Sequence, residues 1–337
     1  MCKDNQTGKV AIVLPVFNVS KYLNACLESI LNQTFNNFTI FAIDDGSTDN
    51  SGKILDEYAL RDTRITVVHK NNKGLAAARN CALELIENQG IYSYISFIDS
   101  DDIVSSDFLS KHLLNIKKAD ADVSVCGFLL LANDGSLHQQ NHLLSERTFS
   151  GEEYINLIFS KNEWSNACGA GGMVWKQIYR AEIIHSLRFP ENRLVLEDEP
   201  FGVMVAQRAK MFVYFPETLY FYRQSNTSLC KESNFQIRRL NGRKLCYNNC
   251  DNVSKTAQLV IFASYIESVL SLIKQNQSTI DLKPYKVLVD QAYHAKVMAK
   301  KTLLIFYLFC NFPICSRVYI YARIAFRRLR SFLGLRV

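Results

Sequence analysis

The chain has 337 residues, of which 48% are hydrophobic and 21% charged, with a net charge of +7. That length holds a full core with room for an extension, and the composition is that of a globular protein. No run reaches the roughly 18–20 apolar residues of a membrane span; Thr302 to Phe312 comes nearest, and Pro313 interrupts it.

Met1 to Lys9 is polar, which predicts no secretory leader. Ten cysteines are scattered without a C-x-x-C pair, and Cys246/Cys250 and Cys310/Cys315 have no His neighbours. That spacing argues against zinc and for small buried thiols in a reducing cytoplasm. Nine Lys or Arg residues follow Asp290 and no Asp or Glu does, so a nearly neutral body carries a strongly basic tail. Such asymmetry directs the tail to an anionic partner, membrane or nucleic acid.

In chain order, Val10–Val16 is a β-branched run that predicts a strand ending at the Pro15 turn. Ser20 is placed to cap a helix whose apolar face is Leu23, Leu27, Ile30 and Leu31. Phe38–Ile43 predicts a second strand, followed by the turn Asp44-Asp45-Gly46-Ser47 and a helix from about Asn50 to Ala59. Ile65–His69 predicts a third strand, Gly74 to Asn88 a helix stopped by Gly90, and Tyr92–Ile98 a fourth strand. Ala121–Gly127 is a fifth. The alternation predicts a parallel, doubly wound sheet. Asn133-Asp134-Gly135 breaks that rhythm as a hairpin signal, and Ser150-Gly151-Glu152-Glu153 is a capping box. Beyond it the pattern predicts helices near 173–186 and 199–209, strands near 211–215 and 218–223, and a mainly helical chain from about 234.

Ligands of open α/β sheets bind at the carboxyl ends of strands, and acids stand at two such ends. Asp99-Ser100-Asp101-Asp102 crowds three carboxylates into four residues. At about 4 Å and an effective dielectric near 20, a like-charge contact costs up to roughly 4 kcal/mol. A divalent cation removes that cost, and oxygen ligands suit Mg2+ or Mn2+. The plain alternative is a solvated turn in which Asp102 or Ser106 caps the next helix.

Asp44-Asp45-Gly46-Ser47-Thr48-Asp49 fits a helix start for its last members, but that leaves the paired acids unexplained. A carboxylate there can accept from a nucleobase N–H or a ribose hydroxyl. Lys70, Asn71, Asn72, Lys73, Gly74 and Arg79 form a basic stretch able to meet phosphates or a base edge, or simply a solvated loop. There is no G-x-G-x-x-G and no Walker motif. Glu197-Asp198-Glu199 precedes Pro200, either as acids favoured at the positive end of a helix or as a general base. Arg317, Arg323, Arg327, Arg328, Arg330 and Arg336 interleave with apolar residues as a basic amphipathic helix, for a membrane surface or for packing on the body.

In this order and spacing, V-A-I-V-L-P-V-F-N, Q-T-F, D-D-G-S-T-D-N-S, N-K-G-L-A-A-A-R-N and F-I-D-S-D-D over Val10–Phe108 resemble the family 2 glycosyltransferases. The likeness continues more loosely through Gly172–Tyr179, Glu197-Asp198 and Tyr222-Arg223 to Ser228, and covers about two-thirds of the chain. It departs from the family's W-N-K-L-Y at Lys176-Gln177-Ile178 and from Y-R-x-R at Ser225, both on the acceptor side.

The resemblance implies an α/β fold of the GT-A type: a Rossmann-like, mostly parallel sheet flanked by helices, with a mainly helical C-terminal extension. The expected division is a glycosyltransferase domain over 1–230 (donor half about 8–130, acceptor half about 131–230) and a helical extension over 231–337. It implies that Pro15 and Phe17 border the nucleobase, that Asp45 beside Asp44 contacts uracil, and that Asn71, Arg79, Asp99 and Ser100 complete the nucleotide-sugar site. Asp99 would face ribose, and Asp101 with Asp99 would hold Mn2+ or Mg2+. Asp198 would be the catalytic base, supported by Glu197.

The expected reaction is inverting transfer from a nucleotide-diphosphate sugar, UDP favoured, to a glycan or lipid-linked acceptor of the cell envelope. It would take place in the cytoplasm or at its membrane face. The rival readings are a nucleotidyltransferase, whose triphosphate loop is missing at Pro15–Asn18, and a nucleic-acid-binding module, which leaves the acids unexplained. Nucleic acid is therefore not an expected partner.

Overall fold

The computed structural model describes residues 8–132, 134–139, 145–159, 172–193, 195–224, 235–274, 285–296, 298, 302–303 and 306–307. The chain divides into two compact units, Met1–Phe235 and Gln236–Val337. Its basic tail, Ser225, Ser228 and Asn133 lie outside the described residues.

The first unit opens with β1 (Lys9–Val16), α1 (Ser20–Leu31), β2 (Phe38–Asp44), α2 (Ser51–Arg61), β3 (Ile65–His69), α3 (Leu75–Gln89) and β4 (Tyr92–Phe97). It continues through β5 (Ile103–Val104), α4 (Phe108–Ala119), β6 (Val123–Leu131), β7 (Leu137–Gln139), β8 (Arg147–Phe149) and α5 (Gly151–Phe159). The last described elements are β9 (Gln177–Arg180), α6 (Ala181–Ile184), α7 (Asp198–Arg208) and β10 (Phe212–Arg223).

One ten-stranded sheet runs β3-β2-β1-β4-β9-β6-β10-β5, with β7 on β6 and β8 on β10. The ladders β3-β2-β1-β4 and β6-β10 are parallel and carry most of the paired residues. β9 is antiparallel to both of its neighbours. Because β1, β2 and β4 are parallel and in register, their C-terminal ends share one rim. Both faces of β1 and β2 are covered, so all seven residues of β2 are buried and seven of the eight of β1, and these two strands read as nearly unbroken apolar runs. Helix α1 buries Leu23, Cys26, Leu27 and Ile30 against them.

Three local expectations are corrected. The stretch near 173–186 is not one helix: Gln177–Arg180 is a strand wedged between β4 and β6, followed by the single turn α6. Ile178 and Tyr179 are buried there, and Lys176 just before them has φ 58, outside helical geometry. Phe212–Arg223 forms one strand, not two. Its register slips around Thr218, next to Pro216, which has no N–H to give the ladder. Ser20 does not cap α1: it is the first residue of the helix, Val19 holds the N-cap position with no side-chain cap, and Ser20 N–H donates to Asp49 Oδ2 at 3.0 Å. The capping box does form: Ser150 N–H donates to Glu153 Oε2 (2.8 Å) and Glu153 N–H to Ser150 Oγ (3.3 Å).

The second unit contains α8 (Phe235–Asn248), α9 (Lys255–Lys274) and α10 (Lys286–His294), with Leu240, Phe262, Ile266, Val269 and Val289 in one core. Among the described residues no helix is long and apolar enough to cross a membrane.

Candidate active site

The rim is assembled from loop to loop. After β1, Asn18 Oδ1 accepts from Thr48 N–H at 2.8 Å and Asp49 N–H at 3.3 Å, and Val19 N–H donates to Ser51 Oγ at 3.0 Å. The Ser-Thr-Asp-Asn-Ser run thus ties the start of α1 to the start of α2. Phe17 stands clear of this lacing, 46% exposed, beside buried Pro15.

Asp44 and Asp45 point to different neighbours, as consecutive residues at a strand end do. Asp44 accepts from Ser47 N–H at 2.9 Å and meets His69 Nδ1 at 2.8 Å, and His69 Nε2 meets Asp56 of α2 at 3.0 Å. Asp44 therefore braces the turn from within. Asp45 holds the other loop: it pairs with Lys70 and accepts from Lys73 N–H at 3.0 Å and Gly74 N–H at 2.7 Å. Gly46, at φ 74, lets that loop close in, because a Cβ there would lie 2.9 Å from Asn72 N. Arg193 fastens the outer side, with Nη2 donating to the Asn72 carbonyl (3.1 Å) and Oδ1 (2.7 Å). Asn71 stays exposed between these clasps.

One and a half turns into α3, Arg79 is 1% exposed. Its Nη2 donates to Asp99 Oδ1 at 3.0 Å, and its Nη1 to Asp198 Oδ1 at 2.7 Å and Glu197 Oε1 at 3.4 Å. One buried guanidinium thus joins acids a hundred residues apart. Arg79 faces carboxylates at the start of α3, with its guanidinium 5.1 Å from the Phe189 ring centroid. Burial pushes the Asp198 carboxyl up to about 7, against the pull of Arg79 and with the push of Glu197 and Asp99.

The four-residue acid loop separates into two roles. Asp102 is fully buried and accepts from Tyr220 O–H at 2.7 Å and Arg223 N–H at 2.7 Å, while Arg223 Nε donates to the Asp101 carbonyl at 2.7 Å. Asp102 is thus a brace to β10, neither a solvated cap nor a third cation ligand. Ser100 is buried between its neighbours. Asp101 is pushed up to about 6 by burial and by the charge of Asp99. Two crowded carboxylates, one of them reluctant to ionise, are a donor set that fits a hard divalent cation sharing its shell with phosphate and water. Among the described residues no third His, Cys, Asp or Glu joins them as a closed cage.

Aromatic packing sets the spacing beneath. Phe97 ends β4 and meets Tyr179, Phe189 and Phe201 edge-on at 5.7, 5.4 and 5.7 Å, and Phe189 stacks on Phe201 at 3.8 Å. Phe201 lies in the first turn of α7, so this cluster couples the β4 end, which leads to Asp99, to the helix start bearing Asp198. Gly172, at φ 69, packs against that start: a Cβ would sit 3.1 Å from Glu199 Cα.

Asp99, Glu197 and Asp198 therefore come together at Arg79, and Asp101 sits two residues along. Pro15 and Phe17 stand at the end of β1, Asp45 follows β2 and Asn71 follows β3, at the same ends of parallel strands. Sequence reading passed over Tyr220 and Arg193, whose lone polar groups carry no spacing signal, and over Phe97, Phe189 and Phe201, which read as ordinary core.

The profile described as glycosyl transferase family 2 matches residues 11–181, half of the chain. The chain belongs to glycosyl transferase family 2. Curated relatives include the uncharacterized glycosyltransferase EpsJ of Bacillus subtilis, 31% identical over 226 residues, which are 65% of this chain and 62% of that one. Another is the putative teichuronic acid biosynthesis glycosyltransferase TuaG of B. subtilis, 35% identical over 128 residues, 38% of this chain and 49% of that one. The matches thus span less than two thirds of either relative. Among solved structures, S. aureus TarS 1–349 in complex with UDP-GlcNAc superposes with a TM-score of 0.67 at 18% identity, covering 93% of this chain and 89% of that one. The family 2 chain and TarS share a fold, and the ten-stranded mixed α/β sheet is of the expected GT-A type.

Proposed function

We propose that this family 2 chain is an inverting glycosyltransferase that moves a sugar from a nucleotide diphosphate, UDP in the first instance, to an acceptor hydroxyl in envelope polysaccharide or lipid-linked glycan synthesis. The observation that carries the reading is the convergence of Asp99 and Asp198 on Arg79, which brings a diphosphate-side acid and a base-side acid to one centre. The TarS complex and the TuaG name support the donor and the envelope context.

In this reading Phe17 and Pro15 flank the nucleobase, Asp45 and Asn71 meet its edge, and Asp99 and Ser100 face ribose. Asp101 and Asp99 would hold Mn2+ or Mg2+, which would supply Lewis-acid stabilisation of the leaving diphosphate. Asp198 accepts the acceptor hydroxyl's proton as that oxygen attacks the anomeric carbon on the face opposite the diphosphate. Glu197 supports the base. The nucleotidyltransferase alternative gains no support, because the end of β1 and the loop after it, Pro15-Val16-Phe17-Asn18, have no Gly, Lys or Arg to hold a triphosphate.

A thermal-shift panel of nucleotide sugars with Mn2+, followed by product detection, tests the reading. Stabilisation by a UDP-sugar with slow hydrolysis or transfer supports it, and indifference to every nucleotide sugar contradicts it. In the same panel Asp101→Ala is expected to remove most of the Mn2+-dependent part of the shift. An undiminished shift would take the metal away from this loop.

The acceptor's location rests on sequence alone. The basic tail would bind the anionic cytoplasmic leaflet, each Arg contributing up to about 1 kcal/mol. Sedimentation with anionic liposomes is expected to be lost when residues 308–337 are deleted, and equal binding by both forms would remove the tail from the account.

A further inference from the structure

We propose that Arg79 is the positioning residue of the reaction: a buried two-armed clamp that sets Asp198 against the diphosphate-side acid and does not itself bind the donor. The inference rests on the glycosyltransferase reading and deepens it. Three observations carry it. First, both guanidinium arms are committed, Nη1 to Asp198 and Glu197 and Nη2 to Asp99. Second, the side chain is 1% exposed: both terminal nitrogens face carboxylates, and Nε, the one guanidinium nitrogen without a partner, is itself buried. Third, its Cζ lies over the Phe189 ring, 5.1 Å from the centroid, and that ring is stacked on Phe201 of the helix that carries Asp198. The clamp and the base are therefore seated on the same aromatic floor.

The geometry has a chemical consequence. Asp99 and Asp198 answer to one cation, so the distance between the donor-side acid and the base is set by the span of a guanidinium rather than by two flexible loops. Lys keeps the charge of Arg but offers a compact ammonium without the planar fork. It can serve one of the two acids well and not both. The expectation is a protein that binds donor normally and turns it over poorly.

The test compares Arg79→Lys with the parent chain by two readouts. Calorimetry with UDP and Mn2+ measures donor-site binding without turnover, and initial rates with the active sugar nucleotide give kcat and KM. Misplacement of reacting groups by about 1 Å costs on the order of 10²-fold in rate. A kcat lower by about that factor, with UDP affinity and donor KM within about threefold of the parent, is the expected result. Loss of UDP affinity in step with kcat would make Arg79 a donor ligand and overturn the proposal, as would unchanged kcat.

If Arg79→Lys does not fold, Phe189→Leu removes the floor under the guanidinium without altering a charge. It should lower kcat while sparing UDP binding, and unchanged kcat there overturns the proposal equally. A parent chain that binds UDP and Mn2+ yet transfers no sugar would count against the glycosyltransferase reading instead, and so is distinguishable from a failure of the clamp.

Discussion

Replacing Asp198 by Asn is expected to lower sugar transfer by about 10²–10⁴-fold, the usual worth of a positioned general base, while UDP binding stays within a few-fold of the parent. The substitution isolates the proposed proton acceptor. Asn keeps an oxygen to accept from Arg79 Nη1, now 2.7 Å away, so the clamp, the helix start and the aromatic cluster remain seated. A pH profile adds the sign. Burial is the main cause holding the carboxyl near 7, so the group is protonated and inactive as a base below that pH and ionised above it. In the parent chain, kcat/KM should therefore rise with pH through about 7, and Asp198→Asn should flatten that limb. Normal turnover by a folded Asp198→Asn protein would remove the residue from the chemistry.

Cutting Phe201 to Ala should be the most damaging of the packing changes around the site. Its ring is fully buried, stacked on Phe189 and edge-on to Phe97. Phe→Ala changes in such places cost about 3–5 kcal/mol, set against total stabilities of about 5–15 kcal/mol. The loss also releases the first turn of α7, where Asp198 and Glu199 begin the helix. Denaturant titration should show a large fall in midpoint, and the protein that remains folded should have a reduced kcat. A loss under about 1 kcal/mol would mean that the site relaxes around the cavity, and that the aromatic floor does not set the spacing of the acids.

Much of the N-terminal part of the sheet was legible because its signals are local. Strands buried on both faces read as apolar runs, helices such as α1 show their periodicity, and acids following β2 and β4 announce a rim. What those acids do was less legible, because it depends on partners far along the chain. Asp102 is chemically identical to Asp101 in the sequence, yet Tyr220 and Arg223 from β10 claim it. Asp44 and Asp45 differ only in the neighbours they face. Arg79 read as part of a basic loop, and its burial follows from Glu197 and Asp198 arriving from across the fold. β9 was missed because a four-residue buried run has no period to measure; its pairing between β4 and β6 overrides the helical pattern on either side.

The central claim is that the acids after β4 and the acid opening α7 serve one nucleotide-sugar site. Anomalous diffraction from crystals grown with UDP and Mn2+ tests it most directly. The account predicts one strong manganese peak between the Asp101 carboxylate and the diphosphate, with the uracil against Phe17 and Asp198 facing the vacant sugar position. A nucleotide and manganese bound away from both Asp101 and Asp198 would contradict it.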